Sequence, residues 1–221
     1  QSAPTAAISS VNNVCVGESV TLTANGGNTY AWNNNQTTAT ITVSPSQTTT
    51  YTVTASIGVN CTATASATIT VNAKPIASIS PSTVTICNGQ STRLTASGGG
   101  TYVWSNSGGS NATANFSPIA TTLYSVTVTN TNNCTSTATA AVSVNANPAA
   151  AVSGASYVCI GSSATLNATG GIAYVWSNGS STPTVTVNPA QLSTYTVTVT
   201  NNFGCTATAS QTVDVYALPN P

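Results

Sequence analysis

Charge is what this 221-residue chain almost lacks: it carries two cations and two anions, and neither His nor Met. The four charged residues are Glu18, Lys74, Arg93 and Asp214. Only 2% of residues are charged, against about 25% in ordinary globular chains, so whole classes of function fall away. General acid–base chemistry needs a titrating group held against a substrate, and the two carboxylates stand in different thirds of a chain without His. Two cations cannot build the basic face that nucleic acid or an anionic membrane requires. Hard-cation sites need clustered carboxylates, and zinc sites need closely spaced Cys or His, so neither metal nor cofactor is expected. No apolar run approaches the length of a membrane span.

What remains is not the composition of a disordered chain. Net charge is zero and 40% of residues are apolar, whereas disorder goes with high charge and low hydrophobicity. The polar complement is Thr, Ser and Asn, which hydrogen-bond without ionic repulsion. A surface so close to neutral favours self-association over colloidal dispersal.

The dominant positive feature is a repeat. Cys15–Trp32 reads CVGESVTLTANGGNTYAW and returns as CNGQSTRLTASGGGTYVW at Cys87–Trp104 and as CIGSSATLNATGGIAYVW at Cys159–Trp176, each copy 72 residues after the last. A fixed period of this size means tandem copies of one small fold. The expected domains are residues 1–72, 73–145 and 146–221, joined by Pro-containing linkers at Asn72–Pro75, Asn145–Pro148 and Ala217–Pro219. Pro stiffens such a linker and stops strands from running through it.

Within a repeat the period is that of strands. Val20, Leu22 and Ala24 alternate with Ser19, Thr21 and Thr23, giving a half-buried strand, and Asn25–Asn28 is a turn. Thr29–Trp32, Ala39–Val43, Tyr51–Ala55 and Ala63–Val71 are further strands, after a short apolar segment at Ala6–Ser10. The second repeat repeats this order with Ala112–Phe116, Tyr124–Val128 and Ala138–Val144, and the third with Thr184–Val187, Tyr195–Val199 and Ala207–Val215. No segment holds a helical period. Trp32, Trp104 and Trp176 occur once per repeat and are expected in the core, not on a sugar-stacking surface. Many short strands with closely spaced turns predict an all-β chain of three tandem sandwiches arranged as an elongated rod.

The segment Gly17–Ala24 resembles the second strand of an immunoglobulin domain, with Trp32 in the place of its third-strand tryptophan. Tyr51-Thr52-Val53 resembles the start of the sixth strand, which makes Tyr51, Tyr124 and Tyr195 tyrosine-corner candidates and core residues. The pairs Ala24 and Val53, Ala96 and Val126, and Ala168 and Val197 stand where an antibody domain has its inter-sheet cysteines. The whole pattern resembles the immunoglobulin-like repeats of large secreted surface proteins of Bacteroidetes-type bacteria, often gliding-associated. It is carried by Cys-x-Gly, Gly-Gly-x-x-Tyr-x-Trp, Thr-Tyr-x-Val and the late Cys. That resemblance implies a bacterial, secreted or cell-surface location and a spacer or structural role.

Six cysteines, two per repeat, point to an oxidising compartment. The chain opens on Gln1 instead of Met, which suits a terminus left by signal-peptide removal or an excised block of repeats, and a longer parent would continue beyond Pro221. The default expectation bridges each repeat internally: Cys15–Cys61, Cys87–Cys134 and Cys159–Cys205. Strict immunoglobulin order puts Cys15 and Cys61 at opposite poles, roughly 30 Å apart, far beyond the ~7 Å that a bridge allows between Cα atoms. Either Asn33–Thr38 forms no strand and both cysteines fall at one end, or the bridges cross the linkers as Cys15–Cys134 and Cys87–Cys205. The second pairing leaves Cys61 and Cys159 free to join molecules head to tail.

The function this predicts is non-enzymatic: an extracellular structural protein, a subunit or stalk segment of a filament that self-associates into a homopolymer. The alternative is an adhesin that recognises glycans or a solid surface through polar loops, with flat Thr faces able to meet ice or a crystal.

Overall fold

The computed structural model describes residues 4–218; Pro219 of the last expected linker lies outside them. Every regular element among the described residues is a strand. The first repeat contains β1 (Ala7–Ser9), β2 (Asn13–Cys15), β3 (Val20–Asn25), β4 (Thr29–Trp32), β5 (Thr40–Val43), β6 (Thr49–Ile57) and β7 (Cys61–Asn72). They form a three-stranded sheet in the order β1-β3-β5 and a four-stranded sheet in the order β2-β7-β6-β4.

Alternation decides which side chains meet between these sheets. Val20, Leu22 and Ala24 of β3 face Trp32, Val53 and Ile69 of the other sheet, with Ile41, Val43 and Tyr51 completing one cluster. The intervening threonines point outward, where a β-branched side chain suits a pleated surface. The trio β1-β3-β5 beside a sheet containing β4, β6 and β7 is the immunoglobulin arrangement, with β2 added at the edge of β7.

The same plan recurs. The second repeat has β8 (Ser78–Ser80), β9 (Thr83–Cys87), β10 (Thr92–Ser97), β11 (Thr101–Trp104), β12 (Thr113–Phe116), β13 (Thr122–Thr129) and β14 (Thr135–Asn145), with sheets β12-β10-β8 and β11-β13-β14-β9. The third has β15 (Ala151–Gly154), β16 (Tyr157–Cys159), β17 (Ala164–Thr169), β18 (Ala173–Trp176), β19 (Thr184–Val187), β20 (Ser193–Thr200) and β21 (Thr206–Tyr216), with sheets β15-β17-β19 and β16-β21-β20-β18. The chain is thus all-β, built of three tandem immunoglobulin-like sandwiches. Two compact units divide it through the middle repeat: Gln1–Ser80 with Thr95–Ala114 and Ser125–Thr139, and the remainder.

Trp32, Trp104 and Trp176 are buried, and each indole Nε1–H donates 2.9 Å to a carbonyl in the segment that follows its strand: Thr38, Asn111 and Thr182 respectively. Tyr51 and Tyr124 are buried and Tyr195 is half-buried. The first glycine of each Gly-Gly turn is also fixed by packing: at Gly170, φ is +103° and a Cβ would run into the Ala149 carbonyl.

The short strand β2 is the element that sequence periodicity did not announce. It pairs in parallel with the end of β7, Asn13 opposite Thr70, Val14 opposite Val71 and Cys15 opposite Asn72. This register corrects the default bridges. Asn33–Thr38 indeed forms no strand, yet Cys15 lies beside the last residue of the 12-residue β7, of which Cys61 is the first. At about 3.3 Å per residue that strand holds the two cysteines more than 30 Å apart. Cys87 beside Asn145 and Cys159 beside Tyr216 repeat the arrangement. Cys15–Cys61, Cys87–Cys134 and Cys159–Cys205 are therefore not the pairs.

Candidate functional site: the disulfide-closed joints

The bridges run from each repeat to the next. Cys15 joins Cys134 with Cα atoms 5.6 Å apart, and Cys87 joins Cys205 at 5.5 Å. Cys61 and Cys159 carry free thiols.

Each joint is assembled from local features of the repeat. The first is the Cys-x-Gly turn. Glu18 N–H donates to the Cys15 carbonyl at 3.0 Å, and Gly17 takes φ +84°, a left-handed value that suits glycine. The Glu18 carboxylate closes the turn by accepting from Cys15 N–H at 2.9 Å, and Gln90 does the same for Cys87 at 3.1 Å. The turn is tied to the end of the repeat by Val16 N–H donating to the Asn72 carbonyl at 2.9 Å, as Asn88 does to Asn145. The sole carboxylate of the first repeat thus holds a cysteine turn.

The second feature is an asparagine four residues before the receiving cysteine. Asn130 Oδ1 accepts from Asn132 N–H and Cys134 N–H, both at 3.0 Å, and shapes the loop between β13 and β14. Its Nδ2 donates 2.8 Å to the carbonyl of Ala73, in the linker leaving the first repeat. Asn201 repeats every contact: Oδ1 accepts from Phe203 N–H and Cys205 N–H at 3.0 Å, and Nδ2 donates to Ala146 O at 2.8 Å. Each side chain thus organises its own loop and also ties that loop to the preceding linker. In the second joint Asn147 Nδ2 adds a bond to the Asn88 carbonyl at 3.0 Å.

These asparagines were missed by sequence reasoning. The available signal was Asn-x₃-Cys at Asn130–Cys134 and Asn201–Cys205, hidden in a chain rich in Asn. Three of the four bridging cysteines are buried, Cys134 and Cys205 at 0% exposed and Cys15 at 7%, while Cys87 is half-buried.

No other constellation competes. Among the described residues no group of three or more His, Cys, Asp or Glu comes together. Asp214 accepts a hydrogen bond from the adjacent Val215 N–H at 2.8 Å. Among the described residues no helix is long and apolar enough to cross a membrane. Outward hydroxyls pair across strands, Thr50 with Thr68 and Thr52 with Ser66 at 2.9 Å, and Thr194 with Thr212 and Thr196 with Ser210 at 2.9 Å. Those ladders use part of their hydrogen-bonding capacity on one another.

No known family profile matches the chain, and no curated protein matches it. Among solved structures, similarity is found to the N-terminal eight Ig domains of a Down Syndrome Cell Adhesion Molecule isoform, at 14% identity and TM-score 0.33, covering 93% of this chain. The chain spans 40% of that structure's length. A solved chain described as giving insight into host cell surface retention of a 1.5-MDa bacterial ice-binding adhesin matches at 14% identity and TM-score 0.32, covering 98% of this chain and 100% of that chain. The N-terminal four Ig domains of Dscam1 isoform 6.9 match at 11% identity and TM-score 0.29, covering 96% and 73%. Likenesses at this level carry no argument, and the assignment of fold rests on strand order and pairing.

Proposed function

We propose that this chain is a non-enzymatic extracellular structural protein, a subunit or stalk segment of a surface filament whose joints are covalently closed. The observation that carries the reading is the placement of the two bridges. Cys15–Cys134 and Cys87–Cys205 link successive repeats, where an interaction module of independent domains would need only a peptide linker. Stable disulfides go with an oxidising compartment outside the cytosol. The Asn130 and Asn201 grips on the linkers add a second, non-covalent tie at each joint. A surface with four charged residues offers little electrostatic opposition to lateral or end-to-end association.

The mechanism is mechanical. With both bridges intact, the shortest covalent route between the termini passes from Cys15 to Cys134, back to Cys87 and across to Cys205. That route contains roughly 80 residues and can reach about 270 Å, whereas the reduced chain can reach about 750 Å. Single-molecule pulling on the oxidised and the reduced protein tests this directly. Equal extension in both states would remove the bridges from the load path and the stalk reading with them. A glycan array or mineral-binding assay giving specific retention of the isolated chain would move the reading to an adhesin.

A further inference from the structure

The two free thiols belong to half-built joints. Cys159 occupies the turn that in the other repeats holds a bridging cysteine: Ser162 N–H donates to Cys159 O at 2.9 Å, Gly161 takes φ +83°, and Ile160 N–H donates to Tyr216 O at 2.9 Å. Cys61 occupies the position of Cys134 and Cys205, ten residues after the conserved-spacing tyrosine, Tyr51 in this repeat and Tyr124 or Tyr195 in the others. One molecule therefore carries the donor half in its third repeat and the receiving half in its first.

The residues around these halves differ from the internal joints in a matched way. Where the internal joints have the gripping Asn130 and Asn201, the Cys61 half has Ile57, and the next alternate position holds Val59, 96% exposed. On the other half, Tyr216 stands where the internal joints have Asn72 and Asn145, and Leu218 where they have Lys74 and Asn147. Ile160 takes the place of Val16 and Asn88. Tyr216, Leu218 and Ile160 are 55%, 64% and 51% exposed. The side-chain grips of Asn130 and Asn201 give way to Ile57 on one half and that of Asn147 to Leu218 on the other, and both halves expose apolar side chains that two surfaces would bury on meeting.

We infer that the Cys159 pole of one copy seats on the Cys61 pole of a second copy, apolar face to apolar face, and that the pair is sealed by a Cys159–Cys61 disulfide. This rests on the structural reading above and names its partner as the chain itself. The chemistry is thiol–disulfide exchange with a small disulfide as oxidant. Cys159 thiolate attacks that disulfide, forming a mixed disulfide and expelling one small thiolate. Cys61 thiolate of the next copy then attacks Cys159 Sγ and expels the second. Two protein thiols lose two protons and two electrons, and the small disulfide becomes two thiols.

The test uses the full chain in a glutathione redox buffer, read on non-reducing gels. Wild type should form a ladder of covalent multimers. Cys61→Ser and Cys159→Ser should each stay monomeric, and mixing the two should give one dimer band with nothing longer. Val59→Asn combined with Leu218→Asn should slow ladder formation about tenfold or more by removing the apolar contact. A ladder in either single variant, a monomer retaining both thiols, a Cys61–Cys159 bridge closed within one molecule, or an unchanged rate in the Asn variant would overturn the inference. Chymotryptic peptides from the same samples separate the two readings. Cys15–Cys134 and Cys87–Cys205 peptides without Cys61–Cys159 sink only the polymer joint, whereas loss of the first two sinks the covalent stalk.

Discussion

Replacing both partners of the first bridge, Cys15→Ser with Cys134→Ser, should unfasten the first repeat without leaving a new thiol. When the first repeat unfolds and its neighbour stays folded, the chain from Cys15 to the linker at Ala73 is held at both ends on the folded neighbour. The closed segment is roughly 58 residues, which in the chain-entropy treatment removes about 4 kcal/mol of conformational freedom from the unfolded repeat. A sandwich of about 72 residues has little more than that in total stability. At 4–8 °C for each kcal/mol in a domain of this size, the first transition should fall by roughly 20 °C. Differential scanning calorimetry of the oxidised proteins measures it, with Cys61→Ser as the control. A first transition within about 3 °C of wild type would refute the argument. So would an equal drop in Cys61→Ser, because a bridge within the repeat would then be the one that matters.

Three further outcomes follow from contacts already described. Asn130→Ala should cost about 2 kcal/mol in urea unfolding, since it ends three hydrogen bonds, while Asn130→Asp keeps both loop bonds and loses only the grip on Ala73. Trp176→Phe should cost about 2–4 kcal/mol, by opening a void in the third core and leaving the Thr182 carbonyl without its indole donor. Gly170→Ala should cost more than about 2 kcal/mol, because a side chain there meets both an unfavourable φ of +103° and the Ala149 backbone, and thermal unfolding of the single variant would show it.

The core of each sandwich was legible because its signal is local. The Val20-x-Leu22-x-Ala24 alternation falls on β3, and the strand expected at Thr29–Trp32 has those bounds as β4. Trp32 could be placed in the core from its single occurrence per repeat and its spacing from the Gly-Gly turn. The joints were legible only as alternatives, because their deciding feature is nonlocal. The strand β2 has three residues, too few for periodicity to speak, and its partner in β7 is more than fifty residues away. Whether Cys15 sits at the entry or the exit pole depends wholly on that pairing. Asn130 and Asn201 escaped for a different reason. An asparagine is informative when rare, and here it is part of the background that replaces charge.

The parallel pairing of β2 with the end of β7 has a consequence for damage. Because it brings Cys15 beside the outgoing linker, two separate covalent routes span the same gap: the peptide through Ala73-Lys74-Pro75 and the sulfur bridge to Cys134. A protease that cuts the linker severs one and leaves the pieces fastened, and a reductant that opens the bridge leaves the other. Each internal joint therefore fails only after two chemically unrelated injuries at one place, the redundancy of a seam stitched with two kinds of thread.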